Sequence, residues 1–301
     1  MMNPTVIGEA LVDVLASGIA PAQEFVGGSP LNVAVSLARL GYPGTLITRW
    51  GQDEKGAKIE RFLAENEVKY LGGADDEPTV IAHGILDPAG GATFAFNAFW
   101  QMPTIGPELA QDSELVHTGS IATLFSPDEL LPLLAAARSH ATISYDPNLR
   151  PSLVTNHAQT VAEVEQFVGQ ADVVRVSGID LKWLYPMRTV HESARAWLAM
   201  GPAIVVATAG SRGSWGVVRA GESEHTAQAV EVTDTVGAGD TFTAALLCWL
   251  AEHGLIGASN RERLARLAVD QLNQALDFAA RAASVTVGRA GANPPSREEL
   301  S

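Results

Sequence analysis

The stretch DTVGAGDTFTAALL, residues 234–247, passes from small and acidic residues through two glycines and straight into an apolar run without a proline. Gly237 and Gly239 open backbone geometry closed to other residues, and the apolar run predicts a helix that starts beside them. The NH groups of residues 237–240 would then converge at a helix N-terminus, where the positive end of the helix dipole accepts anions. Asp240 falls in the first helical turn. Either it caps the helix, which is worth roughly 1 kcal/mol, or it stands beside an anion cradle and takes a proton from an attacking hydroxyl. The segment by itself leaves the two readings level.

Outward from this point, short β-branched runs (TVIGEALVDVL, TLITRW, TISYD, DVVRVS, AIVVATAG) alternate with segments at helical spacing. The helical segments are SPLNVAVSLARLG, EKGAKIERFLAENEV, PDELLPLLAAARSH, HAQTVAEVEQFVGQ, HESARAWLAM, the run after Gly239, and a long stretch from Arg261 to about Ala283. This alternation predicts an α/β fold, a doubly wound and mainly parallel central sheet with helices on both faces, in one domain over residues 1–301. Two regions break it. Residues 14–29 and about 68–104 carry strand-like pieces, TVIAHGIL and ATFAFNAF, around the turn-rich DPAGG with no helix between. They should pair antiparallel, apart from the main sheet, as a small β-sheet lid over the crevice at the carboxyl ends of the parallel strands.

Composition narrows the function. A formal charge of −14 argues against a nucleic-acid surface, yet a small phosphate can be held by a local loop of backbone NH groups. No run approaches the roughly eighteen uncharged apolar residues of a membrane span, and the first residues read as a buried strand rather than a signal peptide. Cys248, the single cysteine, lies in the apolar run ALLCWL and reads as a core thiol; a cytoplasmic location follows. The seven histidines lack metal-ligand spacing, so no zinc site is expected. The apolar stripe of SARAWLAM reads as core, while Phe99, Trp100 and Met102 could wall a pocket or pack onto the core or another subunit.

Near the start, GGSPLNVAVSLARLG places Gly27 and Gly28 before a helix, with Asn32 four residues on, where an amide can both donate to and accept from sugar hydroxyls. Together with DTVGAGDTFTAALL, this resembles the PfkB/ribokinase family of carbohydrate kinases. Between the two regions GQDEKGAKIERFLAENEV is similar to the family's G-x-D-x-x-G helix, YDPNLR to its D-x-N-x-R strand end and TAGSRG to its nucleotide loop. Five ordered matches span nearly the whole chain. There is no Walker A sequence, so a P-loop mechanism does not apply.

The resemblance implies a ribokinase-like fold, ATP as phosphoryl donor, and a role for each matched residue. Asp240 would be the general base, with the NH groups of Gly237, Ala238 and Gly239 facing the transferred phosphoryl group. Thr208, Gly210, Ser211 and Gly213 would line the ATP site, although TAGSRG alone reads as a strand-to-strand turn. Asp13, at the end of the first strand, would accept sugar hydroxyl hydrogens beside Gly27, Gly28 and Asn32, and Arg150 would reach the substrate or the moving phosphoryl group, its alternative being a surface salt bridge. The family's N-x-x-E is replaced by Ser177 and Asp180; Asp180 would act on Mg²⁺ through bound water, or serve the start of a helix. A K⁺ site is implied near Asp234 and the backbone of Val236, with TVGRAGAN.

GEALVD, DPNLRPSLV, SGIDLKWLYP and RAGANPP most resemble the fructokinase branch, making a ketohexose such as fructose the leading substrate. Ribose, 2-keto-3-deoxygluconate or another sugar stay open, since the lid reads TFAFNAFW, with Asn97 and no nearby arginine. A silent sugar- or nucleotide-binding regulator is the reading from another class; a dinucleotide oxidoreductase lacks its G-x-G-x-x-G. An apolar lid edge would need cover, which a homodimer through the lid would supply.

Overall fold

β-branched side chains pack well on a pleated surface, and in the computed structural model most of the runs that carry them pair in one nine-stranded sheet. The structure describes residues 2–16, 22–86, 92–97, 99–104, 112–227 and 230–300. In chain order the first elements are β1 (Pro4–Ile7), β2 (Leu11–Ala16), β3 (Gln23–Gly27), α1 (Ser29–Arg39), β4 (Thr45–Gly51), α2 (Glu54–Glu65), β5 (Lys69–Asp75), β6 (Val80–Leu86) and β7 (Ala92–Asn97). Next come β8 (Leu115–Gly119), α3 (Ser120–Phe125), α4 (Pro127–Ala137), β9 (Thr142–Asp146), α5 (His157–Gln170), β10 (Val173–Ser177), α6 (Gly178–Leu184) and α7 (Val190–Leu198). The last are β11 (Ile204–Thr208), β12 (Ser214–Val218), β13 (Gly221–His225), α8 (Ala238–Glu252), α9 (Arg261–Leu264) and α10 (Val269–Val287).

The main sheet has nine strands in the order β13-β12-β11-β10-β9-β8-β1-β4-β5. Every pair from β11 to β5 is parallel, and β12 and β13 add an antiparallel edge. Neighbouring residues on one strand feed opposite layers. Val6, Leu46, Leu115 and Val206 pack with α1, α2, α8 and α10, while Ile7, Ile47, Val116 and Val205 pack with α4, α5, α6 and α7. With both faces covered, most strand side chains must be apolar, since each fully buried Val, Leu or Ile side chain contributes roughly 1.5–3 kcal/mol; the buried polar side chains, such as Arg49 and Arg175, are the exceptions. Cys248 is buried and free in this core, where burial pushes its thiol pKa up. Ala194 and Trp197 of the SARAWLAM stripe are buried too.

The second sheet, β3-β2-β6-β7, stands apart from the first, and it corrects the lid expectation in three ways. The first apolar run is two strands: at Gly8, φ +151°, the chain turns out of the main sheet, and a side chain there would lie 2.3 Å from Pro30 Cγ. β2 therefore belongs to the small sheet from Leu11 onward. Residues 69–75, expected in the lid, form β5 and pair parallel with β4, because the helical crossover α2 returns the chain beside it. Pairing in the small sheet is mixed: β2–β3 and β6–β7 are antiparallel, but β2–β6 is parallel, since an α/β passage rather than a hairpin joins them. The DPAGG turn lies outside the described residues, as do the side chains of residues 92–98, including Asn97. The stretch from Arg261 is likewise broken, into α9 and α10. No helix among the described residues is long and apolar enough to cross a membrane.

Candidate active site

The carboxyl ends of β8, β9, β10 and β11, the start of α1 and the start of α8 meet at one crevice. Gly237, φ +74°, is the N-cap of α8, and a side chain there would lie 2.5 Å from Ala292 Cβ. The left-handed backbone and the close approach both require glycine. The first NH groups of α8 have no acceptor within the helix; Ala238 NH reaches back to the Thr235 carbonyl at a long 3.4 Å, the contact an anion would compete with. Asp240 does not cap the helix: α8 has no side-chain cap bond, and Asp240 is buried in the first turn.

Two residues of α1 hold its carboxylate. Ser29 Oγ donates to Asp240 Oδ1 at 2.7 Å, and Asn32 Nδ2 donates to Oδ2 at 2.8 Å. Burial raises the pKa of Asp240, against those two hydrogen bonds. Asn32 thus spends a donor on Asp240 and keeps its carbonyl oxygen for a further partner. Gly28, φ +110°, precedes α1, and a side chain there would lie 2.4 Å from the carbonyl of Glu9.

Asp13 lies inside β2 of the small sheet, opposite Phe25 and Ala82, rather than at the end of the first main-sheet strand. A side chain on Gly27 would meet its Oδ2 at 2.5 Å, so Gly27 is the residue that lets this carboxylate sit against β3. Burial lifts the Asp13 pKa to about 6, with Arg150 opposing and Asp240 and Asp234 adding to the rise. Arg150 folds back on its own loop, Nη1 donating to the Asn148 carbonyl and Oδ1 at 2.7 Å each. Its charge also lowers the pKa of Glu9, which is buried between β1 and β2 and lifted by burial to about 7. Asn148 and Ser120, at strand ends on this rim, both hold positive φ, 34° and 56°, a backbone cost of order 1 kcal/mol or more typical of functional sites.

Ser177 caps α6, accepting from Asp180 NH at 2.9 Å, while Asp180 sits in the first turn and is lifted by burial to about 6. Thr208 ends β11, and the TAGSRG segment is the turn between antiparallel β11 and β12, closed by Ala209 NH to the Gly213 carbonyl at 2.8 Å. The strand-to-strand turn is thus what the structure gives this segment. Gly213, φ +96°, packs where a side chain would strike the His225 carbonyl, whereas Gly210, φ +56°, faces open space beside the exposed Ser211. Asp234 ties the loop before α8 to the C-terminal loop, accepting from Val236 NH and Gly291 NH at 3.0 Å each. Of the three residues just after β7 of the small sheet, Trp100 is buried, Met102 packs against the same layer, and Phe99 is exposed.

Residues that carried no sequence-based role also converge here. Arg175 of β10 donates through Nη1 to Asp146 Oδ2 at 2.8 Å and through Nη2 to Thr208 Oγ1. Thr243 joins Asp146 Oδ2 at 3.4 Å and the Gly239 carbonyl at 3.1 Å. One signal was available: an arginine in the middle of DVVRVS, a strand otherwise apolar, needs a buried partner. A separate groove of about 830 Å³ lies at the other end of α8, between Trp249, Phe278 and Arg297. Arg297 pairs there with Glu252, and Arg281 with Asp277.

Comparison with known proteins decides the family. Residues 13–299 match the pattern of the pfkB family carbohydrate kinases. The chain belongs to that family. As a family member it is a carbohydrate kinase, and its fold is that of the ribokinase-like sugar kinases. It is 34% identical over 268 residues to a fructokinase of Rhizobium leguminosarum bv. trifolii, covering 83% of this chain and 80% of the relative. A fructokinase of Xylella fastidiosa with bound ATP superposes with a TM-score of 0.86 at 23% identity, over 99% of this chain and 96% of that one. A fructokinase of Vibrio cholerae O395 with fructose, ADP and calcium bound gives 0.81 at 24%, over 100% and 98%.

Proposed function

We propose that this pfkB kinase transfers the γ-phosphoryl group of ATP to a hydroxyl of a free ketohexose, with fructose as the leading substrate. The observation that carries the mechanism is the placement of Asp240. A buried carboxylate with a raised pKa stands in the first turn after the glycine-cradled helix start, and the sugar-side helix α1 grips it through Ser29 and Asn32. A base of this kind accepts the hydroxyl proton as the oxygen attacks. The backbone NH groups of Gly237, Ala238 and Gly239 then face the charge that spreads over the transferred phosphoryl oxygens.

Asp13, Gly27, Gly28 and Asn32 hold the sugar between the small sheet and α1; Arg150 stands opposite them. Thr208, Gly210, Ser211 and Gly213 line the path of ATP, where the free space at Gly210 and the open helix start suit a polyphosphate. Asp180, buried at the start of α6, would hold a hydrated Mg²⁺, which would supply charge neutralisation on the phosphates. Asp234 and the Val236 backbone are where a K⁺ ion would steady the loop before α8; unchanged activity on replacing potassium by sodium or choline would remove that assignment. Fructose is favoured by the names of the curated relatives.

The test is ADP release from ATP and magnesium over a panel of sugars, with Asp240→Asn as control. Turnover of fructose that the variant abolishes supports the reading. Turnover of ribose or 2-keto-3-deoxygluconate alone reassigns the sugar, and silence with ATP still bound moves weight to a sugar outside the panel or to a binding protein.

A further inference from the structure

Arg175 is the one strongly basic side chain placed directly against the anion cradle by the described geometry, and nothing in the mechanism above uses it. It is 9% exposed. Were Gly239 to carry a side chain, its Cβ would lie 2.7 Å from both terminal nitrogens of the guanidinium, so the group rests on the Gly239 backbone. Nη1 is fixed by Asp146, Nη2 by Thr208, and Nε is buried without a hydrogen-bond partner among the described residues. Asp146 is itself tied down, through Asn148 NH at 3.1 Å on Oδ1 and Thr243 on Oδ2. One guanidinium therefore joins the ends of β9, β10 and β11 to the first turn of α8.

Electrostatics supplies the reason for a cation there. Burial works against its charge, but Asp146, with Asp240 and Asp180 further off, outweighs that and holds its pKa above the ordinary arginine value. Without Arg175 the crevice floor would present three buried carboxylates to the charge on the phosphoryl group in transfer, a repulsion that low-dielectric surroundings strengthen. Lysine would bring a charge but not the planar fork that spans two strand ends.

We propose that Arg175 is the positioning residue of the anion cradle: it fixes the Gly239 peptide and offsets the Asp146, Asp180 and Asp240 charges, so that the cradle favours the phosphoryl group in flight. The inference rests on the kinase reading above. Its test compares wild type with Arg175→Met, Arg175→Lys and the charge-neutral pair Arg175→Met with Asp146→Leu, which guards against a folding failure of the single variant. Activity is measured on the sugar that wild type uses, and affinities for ADP, for that sugar and for ADP with aluminium fluoride plus sugar are measured by calorimetry.

The expected result for Arg175→Met is a kcat lower by about 100-fold, sugar KM within about threefold, and an equal loss of affinity for the aluminium fluoride complex but not for ADP alone. Arg175→Lys should recover about a tenth of wild-type kcat. An Arg175→Met kcat within threefold of wild type overturns the proposal, as does an equal loss for ADP, sugar and the mimic, which marks a merely structural arginine. Should wild type phosphorylate no sugar, the kinase reading falls by itself. The ADP with aluminium fluoride affinity then decides the role of Arg175: dependence on Arg175 supports it and indifference overturns it.

Discussion

Two charge systems sit on β10, one at its amino end and one at its middle, and they differ in how they are closed. At its amino end Asp172 accepts from Ile143 NH at 2.9 Å, from Arg261 Nε at 2.8 Å and Nη2 at 3.3 Å, and pairs with Arg138 at 3.5 Å. Every oxygen is engaged, and the partners are ends of neighbouring elements. At its middle, Arg175 with Asp146 is almost wholly buried, whereas Arg138 and Arg261 are about a third exposed; Arg175 Nε has no partner among the described residues, and Asp240 and Asp180 stand near it with raised pKa values. A closed system stabilises, and an open one holds charge ready for a ligand, at a cost the rest of the fold offsets.

Breaking each system should therefore separate activity from stability. The largest effect is expected for Asp240→Asn: kcat lower by about 10³-fold, equivalent to about 4 kcal/mol of transition-state stabilisation. Its thermal midpoint should hold or rise, because burial disfavours the charge that is removed; a fall in midpoint matching the loss of activity would mean that Asp240 is structural. Asp172→Ala should do the reverse. Arg261 and Arg138 are about a third exposed and can turn to water, so losing their carboxylate, with the Ile143 NH left unpaired, costs about 1–2 kcal/mol of stability, read as a lower urea midpoint, with kcat of the folded fraction unchanged.

A smaller effect sharpens the sugar side. Asp13 is ionised only above about pH 6, and protonation removes acceptor capacity toward hydroxyls, so sugar KM should climb as pH falls through that value. Asp13→Asn should raise KM about tenfold, roughly 1.4 kcal/mol, and abolish its pH dependence between pH 5 and 8; a KM that still varies there assigns the titration to another group. The smallest effect belongs to Gly210→Ala. Its added methyl meets no atom within 4 Å, so only the left-handed φ of +56° opposes it, by about 1 kcal/mol. A loss of ATP affinity beyond about tenfold would show that the methyl meets the nucleotide.

Much of this was legible in order along the chain. The β/α alternation anticipated both layers around the main sheet, and the glycines before Asp240 anticipated the left-handed start of α8. The lid was harder, because its boundaries depend on which strand of the main sheet each run joins. Lys69 to Asp75 looks like any short strand until α2 returns it beside β4. Asp13 was expected at a strand end because the turn at Gly8, which sends β2 into the other sheet, has no local mark beyond a glycine.

By itself the sequence determined the periodicities, the helix starts and the residue types able to cradle a phosphate, since these follow from backbone sterics and nearest neighbours. Only the tertiary structure decided that Ser29 and Asn32 would grip Asp240 from 211 and 208 residues away, and that Arg175 would lie beneath Gly239 with Asp146 at its side. Such pairings are set by strand order and by how α1 and α8 pack on the sheet, which no local pattern encodes; burial then raises the stakes of each contact by removing the water that would otherwise compete for it.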